Sequence, residues 1–308
     1  MKVFRDFEGT ETIKNAVVTT GSFDGVHLGH KVIINNLINS TKEIGGESVL
    51  VTFYPHPRKV LYPDTIGKNL MLINSQKEKI ELLKKTGLDN LIIVTFTIEF
   101  SKMSSVDFIR KILVGKLNAR KIIIGFNHHF GHNREGDFEH LKQLSSYHNF
   151  IVEEIPEQDI QNESVSSTKI RKALLEGNIQ RANAYLDHQY IIIGKINKSV
   201  DKWHKYGFKV YSIEVEEECK LIPPCGIYAV HLNINSTNIK GMAIINNTLN
   251  SSQKSVNFHL FNDIPSIIGN EGTLYFHKLI RFIDCNIENN DWNSIFYADK
   301  EKIEELIY

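Results

Sequence analysis

Three cysteines in 308 residues, Cys219, Cys225 and Cys285, are too few and too scattered for a disulfide framework, and none forms the CxxC pair of a zinc site. Zinc and redox chemistry are therefore not expected. No apolar run approaches the roughly 18 residues of a membrane span, and the opening MKVFRDFEGT carries charges where a secretory signal needs an apolar stretch. A soluble, cytoplasmic chain with no membrane partner is expected. Charge of one sign is also lacking, since 36 Lys and Arg balance 36 Asp and Glu. That excludes the basic excess of a general nucleic-acid binder but leaves room for a local phosphate site. There is no internal repeat and no low-complexity linker. At roughly 150 residues per domain the length suggests two domains, each able to bury a core.

Hydropathy patterning divides the chain into unlike halves. Residues 16–20, 48–53, 91–96, 121–125 and 150–155 are short, nearly continuous apolar runs, the pattern of strands buried on both faces. Residues 31–44, 75–86, 104–117 and 137–148 carry apolar positions three to four apart, with Ser104 and Asp107 spaced as a capping box and Gly87 as a helix stop. Strict alternation of strand and helix predicts right-handed crossovers and a doubly wound parallel sheet, which binds ligands at the carboxyl ends of its strands. After about residue 186 the helices vanish. Runs at 190–197, 207–215, 226–234, 240–245, 255–261 and 273–283 predict an antiparallel barrel or sandwich, with a terminal helix near 301–307. The expected division is 1–186 and 187–308.

Directly after the first of those strands comes Gly21-Ser22-Phe23-Asp24-Gly25-Val26-His27-Leu28-Gly29-His30, and then a helix. Gly21, Gly25 and Gly29 allow tight turns and close backbone approach, and a helix start favours phosphate. His27 and His30, three apart, can both reach one polyphosphate and donate to charge developing on it. The spacing fits neither the GxxxxGK[ST] phosphate loop nor the GxGxxG dinucleotide fingerprint.

This segment resembles the GxFDGxHxGH signature of the nucleotidyltransferase superfamily, whose HxGH core binds ATP and stabilises adenylyl transfer. Three further segments are similar to one branch, the bifunctional riboflavin kinase/FMN adenylyltransferases. Phe53-Tyr54-Pro55-His56-Pro57 is similar to its TFxPHP loop, which borders the flavin. Gly125-Phe126-Asn127-His128-His129-Phe130-Gly131, followed by Arg134-Glu135-Gly136-Asp137, is similar to GxNFxFGxxRxGD, and Ser166-Ser167-Thr168-Lys169-Ile170-Arg171 matches SSTxIR. The resemblance implies His27, His30, Asn127 and Arg171 as catalytic. It implies Gly21, Phe23, Asp24, Gly25, Gly29, Ser167 and Thr168 as ATP- and phosphate-binding, and Phe53, Pro55, His56, Pro57 and Phe130 as flavin-binding. Read locally, Ser167 and Thr168 are also helix caps for 169–176, and His128 and His129 are not expected to be ligands. ATP and FMN are the implied substrates, with Mg²⁺ arriving on the polyphosphate and no protein ligand assigned to it. One departure is Ser164, where many members carry arginine.

The second half resembles the family's riboflavin kinase barrel in layout, through Gly207-Phe208, Pro224-Cys225-Gly226-Ile227-Tyr228-Ala229-Val230 and Gly241-Met242-Ala243. Its chemistry is worn. The PTAN segment, whose threonine and asparagine serve ATP and Mg²⁺ in the family, reads Lys209-Val210-Tyr211-Ser212, and the strand ExHLFD, whose glutamate is the base, reads Asn257-Phe258-His259-Leu260-Phe261-Asn262. An amide takes no proton at neutral pH. The glycine-rich approach has become residues 199–207. The leading expectation is an FMN adenylyltransferase carrying a catalytically impaired kinase-like barrel. The alternatives are an enzyme retaining both activities, with His259 or Asp263 as base, a non-catalytic flavin or nucleotide sensor, and the same chemistry on another acceptor. The oligomeric state is left open.

Overall fold

The computed structural model describes residues 1–126, 128–157, 159–160, 163–199, 208–247, 254–262, 267–283 and 292–306. Asn127, Gly207 and Asp263, each part of the sequence reading, lie outside the described residues, as do 200–206 of the glycine-rich approach.

The chain divides into two compact units, one of residues 1–70 and 79–165, the other of 71–78 and 166–308. The periodicity placed its division at 186/187. Packing instead groups the helices Ser167–Leu175 and Ile179–Leu186 with the barrel. The reason is visible at Asn183, whose amide donates to Phe276 O at 2.8 Å and accepts from Tyr190 N at 2.7 Å.

The first unit holds six parallel strands, β1 (Lys2–Arg5), β2 (Val17–Thr20), β3 (Ser48–Tyr54), β4 (Asn90–Thr95), β5 (Lys121–Gly125) and β6 (Ile151–Ile155), in the order β1-β4-β3-β2-β5-β6. The central strands are buried along nearly their whole length, as continuous apolar runs require. β1 escaped the sequence reading because it is short, charged at both ends and on an edge. The chain winds from β2 through β3 to β4 on one side and returns to β5 on the other, so the topological switch point lies between β2 and β5. The small antiparallel pair β7 (Asp159–Ile160) and β8 (Glu163–Ser164) closes this unit.

The predicted helices form with shifts of a few residues. Leu28–Ile44 begins three residues earlier than expected, with Gly45 in the left-handed conformation at its end. Ser104 caps as predicted, its Oγ accepting from Asp107 N at 3.1 Å. Asp107 does not complete the box; it pairs instead with Lys111 at 3.1 Å. The rest of that helix, Phe108–Val114, is wound as a π-helix.

In the second unit β9 (Tyr190–Lys198), β10 (Val210–Ile213), β11 (Gly226–Ile234), β12 (Thr237–Asn247), β13 (Lys254–Leu260) and β14 (Glu271–Phe282) close an antiparallel barrel in the order β10-β13-β12-β11-β14-β9. Closure settles the barrel-or-sandwich alternative and removes exposed strand edges. The terminal helix is longer than predicted, Trp292–Leu306, and buries Phe296 and Ile303 against Phe208, Val210, Ile227, Ala229, Met242 and Ile244. Arg281 holds it with paired hydrogen bonds of 2.7 and 2.6 Å to the buried Asp299. Residues 71–78 join this unit through Lys220, whose fully buried ammonium meets Glu78 at 2.6 Å and donates to Ile73 O and Ile191 O. Three acceptors are what a buried lysine requires. Cys219 forms no disulfide, and its half-buried thiol faces Glu217 Oε2 at 3.9 Å.

Candidate active site

The loop after β2 is held in a shape that few sequences tolerate. Gly25 has φ 95°, and the non-glycine residues Phe23 and Val26 have φ 47° and 43°. A β-branched residue in the left-handed region costs free energy, which the surroundings must offset. Here Val26 is buried and its N–H donates to Phe23 O at 3.3 Å. Gly21 N–H donates to Val51 O at 3.0 Å, and a Cβ at Gly21 would stand 3.0 Å from the Phe23 ring. Ser22 O accepts from two side chains, Thr52 Oγ1 at 3.2 Å and Lys79 Nζ at 2.8 Å. Asp24 is buried within this loop.

His27 is the N-cap of the Leu28–Ile44 helix, its Nδ1 accepting from His30 N at 3.4 Å. A neutral ring that accepts at Nδ1 carries its proton on Nε2. One helical turn further the His30 ring stacks on it, centroids 3.6 Å apart and planes 19° apart, with Phe23 at 4.6 Å on His30. A Cβ at Gly29 would come within 3.4 Å of the His27 ring, so the glycine leaves the pair room. His30 Nδ1 is buried with no hydrogen-bond partner. Burial, His27 and Lys79 together push the His30 pKa well below its ordinary value, keeping the ring neutral at physiological pH. The result is a stacked pair of imidazoles at a helix N-terminus, one of them held neutral and carrying an orphaned polar atom. Buried polar atoms are rarely left orphaned, and a phosphate oxygen suits such a position.

Across the switch point, Thr20 Oγ1 and His128 Nε2 lie 3.1 Å apart, hydrogen-bonded in a direction set by the ring tautomer. His128 follows Asn127 directly, so this bond ties the segment after β5 to the last residue of β2. Burial first, then His129 and Arg134, lower the His128 pKa to about 4. The remainder of that segment is built for packing. Phe130 and Gly136 exchange backbone hydrogen bonds of 3.0 and 2.9 Å. Gly131 has φ 75°, and its absent Cβ would lie 2.6 Å from Ser105 Cα. Glu135 Oε1 accepts from Ser105 N at 2.7 Å, and Asp137 caps the Phe138–His148 helix. Phe130, expected at the flavin, packs half-buried against Phe108 at 6.0 Å.

At the end of β3, Phe53 joins Phe96 and Phe100 at 5.7 and 6.0 Å. The Tyr54–Pro55 peptide bond is cis. His56 caps the short Pro57–Leu61 helix, its Nδ1 accepting from Arg58 N at 3.1 Å. Ser167, Thr168 and Arg171 belong to the barrel's unit. The cap there is Ser166, whose Oγ accepts from Lys169 N at 3.4 Å, so Ser167 and Thr168 occupy the first helical turn and are not the caps. Arg171 Nε donates to Met71 O at 2.8 Å.

The positions where the sequence departs from the riboflavin kinase motifs come together on neighbouring strands. Ser212 stands opposite Asn257, and Val210 opposite His259. Val210 is buried in the apolar cluster beneath the terminal helix. The buried Asn257 amide accepts from Ser199 Oγ at 3.0 Å and donates to Asn246 Oδ1 at 3.3 Å and Ser255 Oγ at 3.2 Å. His259 Nδ1 is hydrogen-bonded to Lys209 O at 3.0 Å.

Sequence reasoning missed Lys79 and Thr20, the partner of His128. Lys79 had a faint signal: it lies four residues before the fully buried Leu83, on the inward stripe of its helix.

Family models for FAD synthetase and riboflavin kinase match residues 9–169 and 186–284 respectively. A bifunctional riboflavin kinase/FMN adenylyltransferase of Listeria monocytogenes is 31% identical over 87% of this chain and 84% of its own length. One from Buchnera aphidicola of Schizaphis graminum is 31% identical over 100% of this chain and 96% of its own. One from Escherichia coli K12 is 26% identical over 87% and 85%. In fold, the chain is similar to the crystal structure of a macrolide-efflux protein from Streptococcus pneumoniae, with TM-score 0.86 and 21% identity over the full length of both.

Proposed function

Because this chain belongs to the FAD synthetase family of riboflavin kinase/FMN adenylyltransferases, we propose that its parallel-sheet unit transfers the adenylyl group of ATP to the phosphate of FMN, forming FAD and pyrophosphate. The observation that carries this reading is the stacked His27–His30 pair at a helix N-terminus, with His30 Nδ1 buried and unpartnered.

No protein nucleophile is required, since the FMN phosphate oxygen attacks the α-phosphorus and pyrophosphate leaves. The protein's part is positioning and stabilisation of charge on the phosphoryl oxygens. In this reading His27 donates from Nε2 and His30 from the unpartnered Nδ1, both to the polyphosphate. The rigid Gly21–Gly29 loop brings backbone N–H groups to it without reorganising during the reaction. Phe53, Pro55, His56 and Pro57 border the isoalloxazine ring, and Asn127 holds phosphate oxygens. Mg²⁺ would neutralise charge on the triphosphate it arrives with. Among the described residues no group of three or more His, Cys, Asp or Glu side chains surrounds a metal position.

The barrel, in this reading, does not phosphorylate riboflavin. Val210 offers an apolar side chain where the family has a threonine, and the Asn257 amide is engaged on both its oxygen and its nitrogen. A second reading, with both activities, draws on the riboflavin kinase match over 186–284 and on the bifunctional names of the relatives. Incubating the protein with Mg·ATP and either FMN or riboflavin, then separating flavins chromatographically, decides between them. FAD from FMN with nothing from riboflavin supports the first. FMN appearing from riboflavin supports the second, and silence with both flavins overturns the proposal.

A further inference from the structure

The ladder between β2 and β5 ends before either strand does. It pairs Val17 with Lys121 and Val18 with Ile122. Beyond those residues Thr20 pairs outward with Val51 of β3, and Gly125 pairs outward with Ile155 of β6. Strands that part in this way at a topological switch point leave a crevice at their carboxyl ends, where doubly wound sheets take their ligands. The histidine loop follows β2 at one lip, and the segment containing Asn127 follows β5 at the other. A side-chain hydrogen bond crosses the gap, between Thr20 Oγ1 and His128 Nε2 at 3.1 Å. Both of its ends are anchored. Thr20 is buried at the end of β2, and the next residue donates from Gly21 N to Val51 O. His128 N donates to Gly125 O at 3.1 Å, and its ring lies over Phe130 with centroids 6.1 Å and planes 22° apart. A Cβ on Gly125 would stand 2.9 Å from Ile33 Cδ1, so the helix that carries His30 rests on the end of β5.

We infer that His128 is a positioning residue of the adenylyl-transfer site: by clasping Thr20 across the crevice it sets the spacing between the histidine loop and the segment that carries Asn127. This rests on the adenylyl-transfer reading of the loop. Groups on two separate loops that serve one phosphoryl group must hold it in a single geometry, and a displacement of about 1 Å costs about 10²-fold in rate. A continued backbone ladder would fix that spacing but would also close the crevice. A bond between side chains at the strand ends fixes it and leaves the space between the strands to the ligand.

The test is a double-mutant cycle on FAD formation from Mg·ATP and FMN. Thr20→Val keeps the shape of the side chain and removes the hydroxyl; His128→Phe keeps a ring over Phe130 and removes the nitrogen; Thr20→Ser keeps the hydroxyl. Each of the first two is expected to lower kcat by about 10-fold, with KM for ATP changed by less than about twofold, because positioning acts on the transition state more than on binding. The double variant should lose no more than either single one, since one bond is lost only once. Thr20→Ser should retain most of the wild-type kcat. The inference is overturned if folded single variants keep the wild-type kcat, if the loss falls on KM alone, if the single losses multiply in the double variant, or if Thr20→Ser is as slow as Thr20→Val. Should His128→Phe fail to fold, the comparison of Thr20→Val with Thr20→Ser carries the test. Absence of FAD synthesis by wild type would defeat the adenylyl-transfer reading itself. The clasp is then still read in the ligand-free protein, where the NMR signal of His128 Nε2 should move in Thr20→Val and stay in place in Thr20→Ser.

Discussion

The loop edge of the parallel sheet and the facing strands β10 and β13 of the barrel treat polar side chains in opposite ways. At the sheet edge, backbone strain at Phe23 and Val26, a capping histidine and a buried lysine surround an orphaned His30 nitrogen. Local stability is sacrificed and a polar atom is left waiting. At β10 and β13 the polar atoms of Asn257 are matched among neighbouring side chains, and Val210 fills apolar space under a helix. A polar atom already bonded within the protein has little left to offer a ligand, whereas an unsatisfied one still has a hydrogen bond to give. Both regions follow family signatures, so the contrast lies in chemistry and not in architecture.

The sharpest way to break this contrast is His30→Ala. Removing that donor is expected to lower kcat for FAD formation by about 10²–10³-fold, with little change in melting temperature. Retained turnover would mean that the orphaned nitrogen has no catalytic use. Stability is the readout for the barrel. Lys220→Met leaves the Glu78 carboxylate buried beside Ser75 N and Ile193 N without its cation. Chemical denaturation should report a loss of about 3–5 kcal/mol, the usual result of orphaning a buried charge. A smaller loss is expected from Val210→Thr, which restores the family's residue type. A hydroxyl placed among Phe208, Met242 and Phe296 should cost about 1–3 kcal/mol and yield no FMN from riboflavin. If that variant phosphorylated riboflavin, the barrel would be one substitution from activity and not a packed remnant.

The mildest probe is pH. His128 is held near pKa 4 and His30 well below its ordinary value, while the unfolded chain titrates near 6.5. Between about pH 4 and 6.5 the unfolded state binds more protons, so stability rises with pH across that window and is lost as pH falls through it. His128→Phe, which keeps a ring over Phe130 and removes the titrating group, should flatten the slope measured by denaturation at successive pH values. An unchanged slope would place the titration elsewhere, with His231, also lowered to about 4 beside His277, the next group to replace.

Much of the fold was legible because its signals are local. Near-continuous apolar runs placed β2 to β6 within a residue or two, and β11 at 226–234 as observed. The edge strand β1, the full length of the terminal helix and the capping of 167–175 by Ser166 were not legible. For β1 and the terminal helix the partners and buried faces are supplied by distant segments, whereas three adjacent hydroxyls, Ser166, Ser167 and Thr168, offer themselves locally for the one cap. The site divides in the same manner. Glycines and paired histidines announce themselves by spacing, whereas Lys79 reads as an ordinary helix charge until the helix is docked.

The sequence by itself determined two unlike halves, a glycine-rich loop with two histidines one helical turn apart, and the departures from the riboflavin kinase motifs at Val210, Ser212 and Asn257. These follow from periodicity and from side-chain chemistry, which need no partner to be read. Only the tertiary structure decided that the histidines stack with one nitrogen unsatisfied, that a lysine 49 residues from His30 bonds to Ser22 O in the same loop, and that residues 71–78 and 166–186 pack with the barrel. Burial, desolvation and long-range hydrogen bonds depend on which segments meet, and no local pattern encodes that meeting.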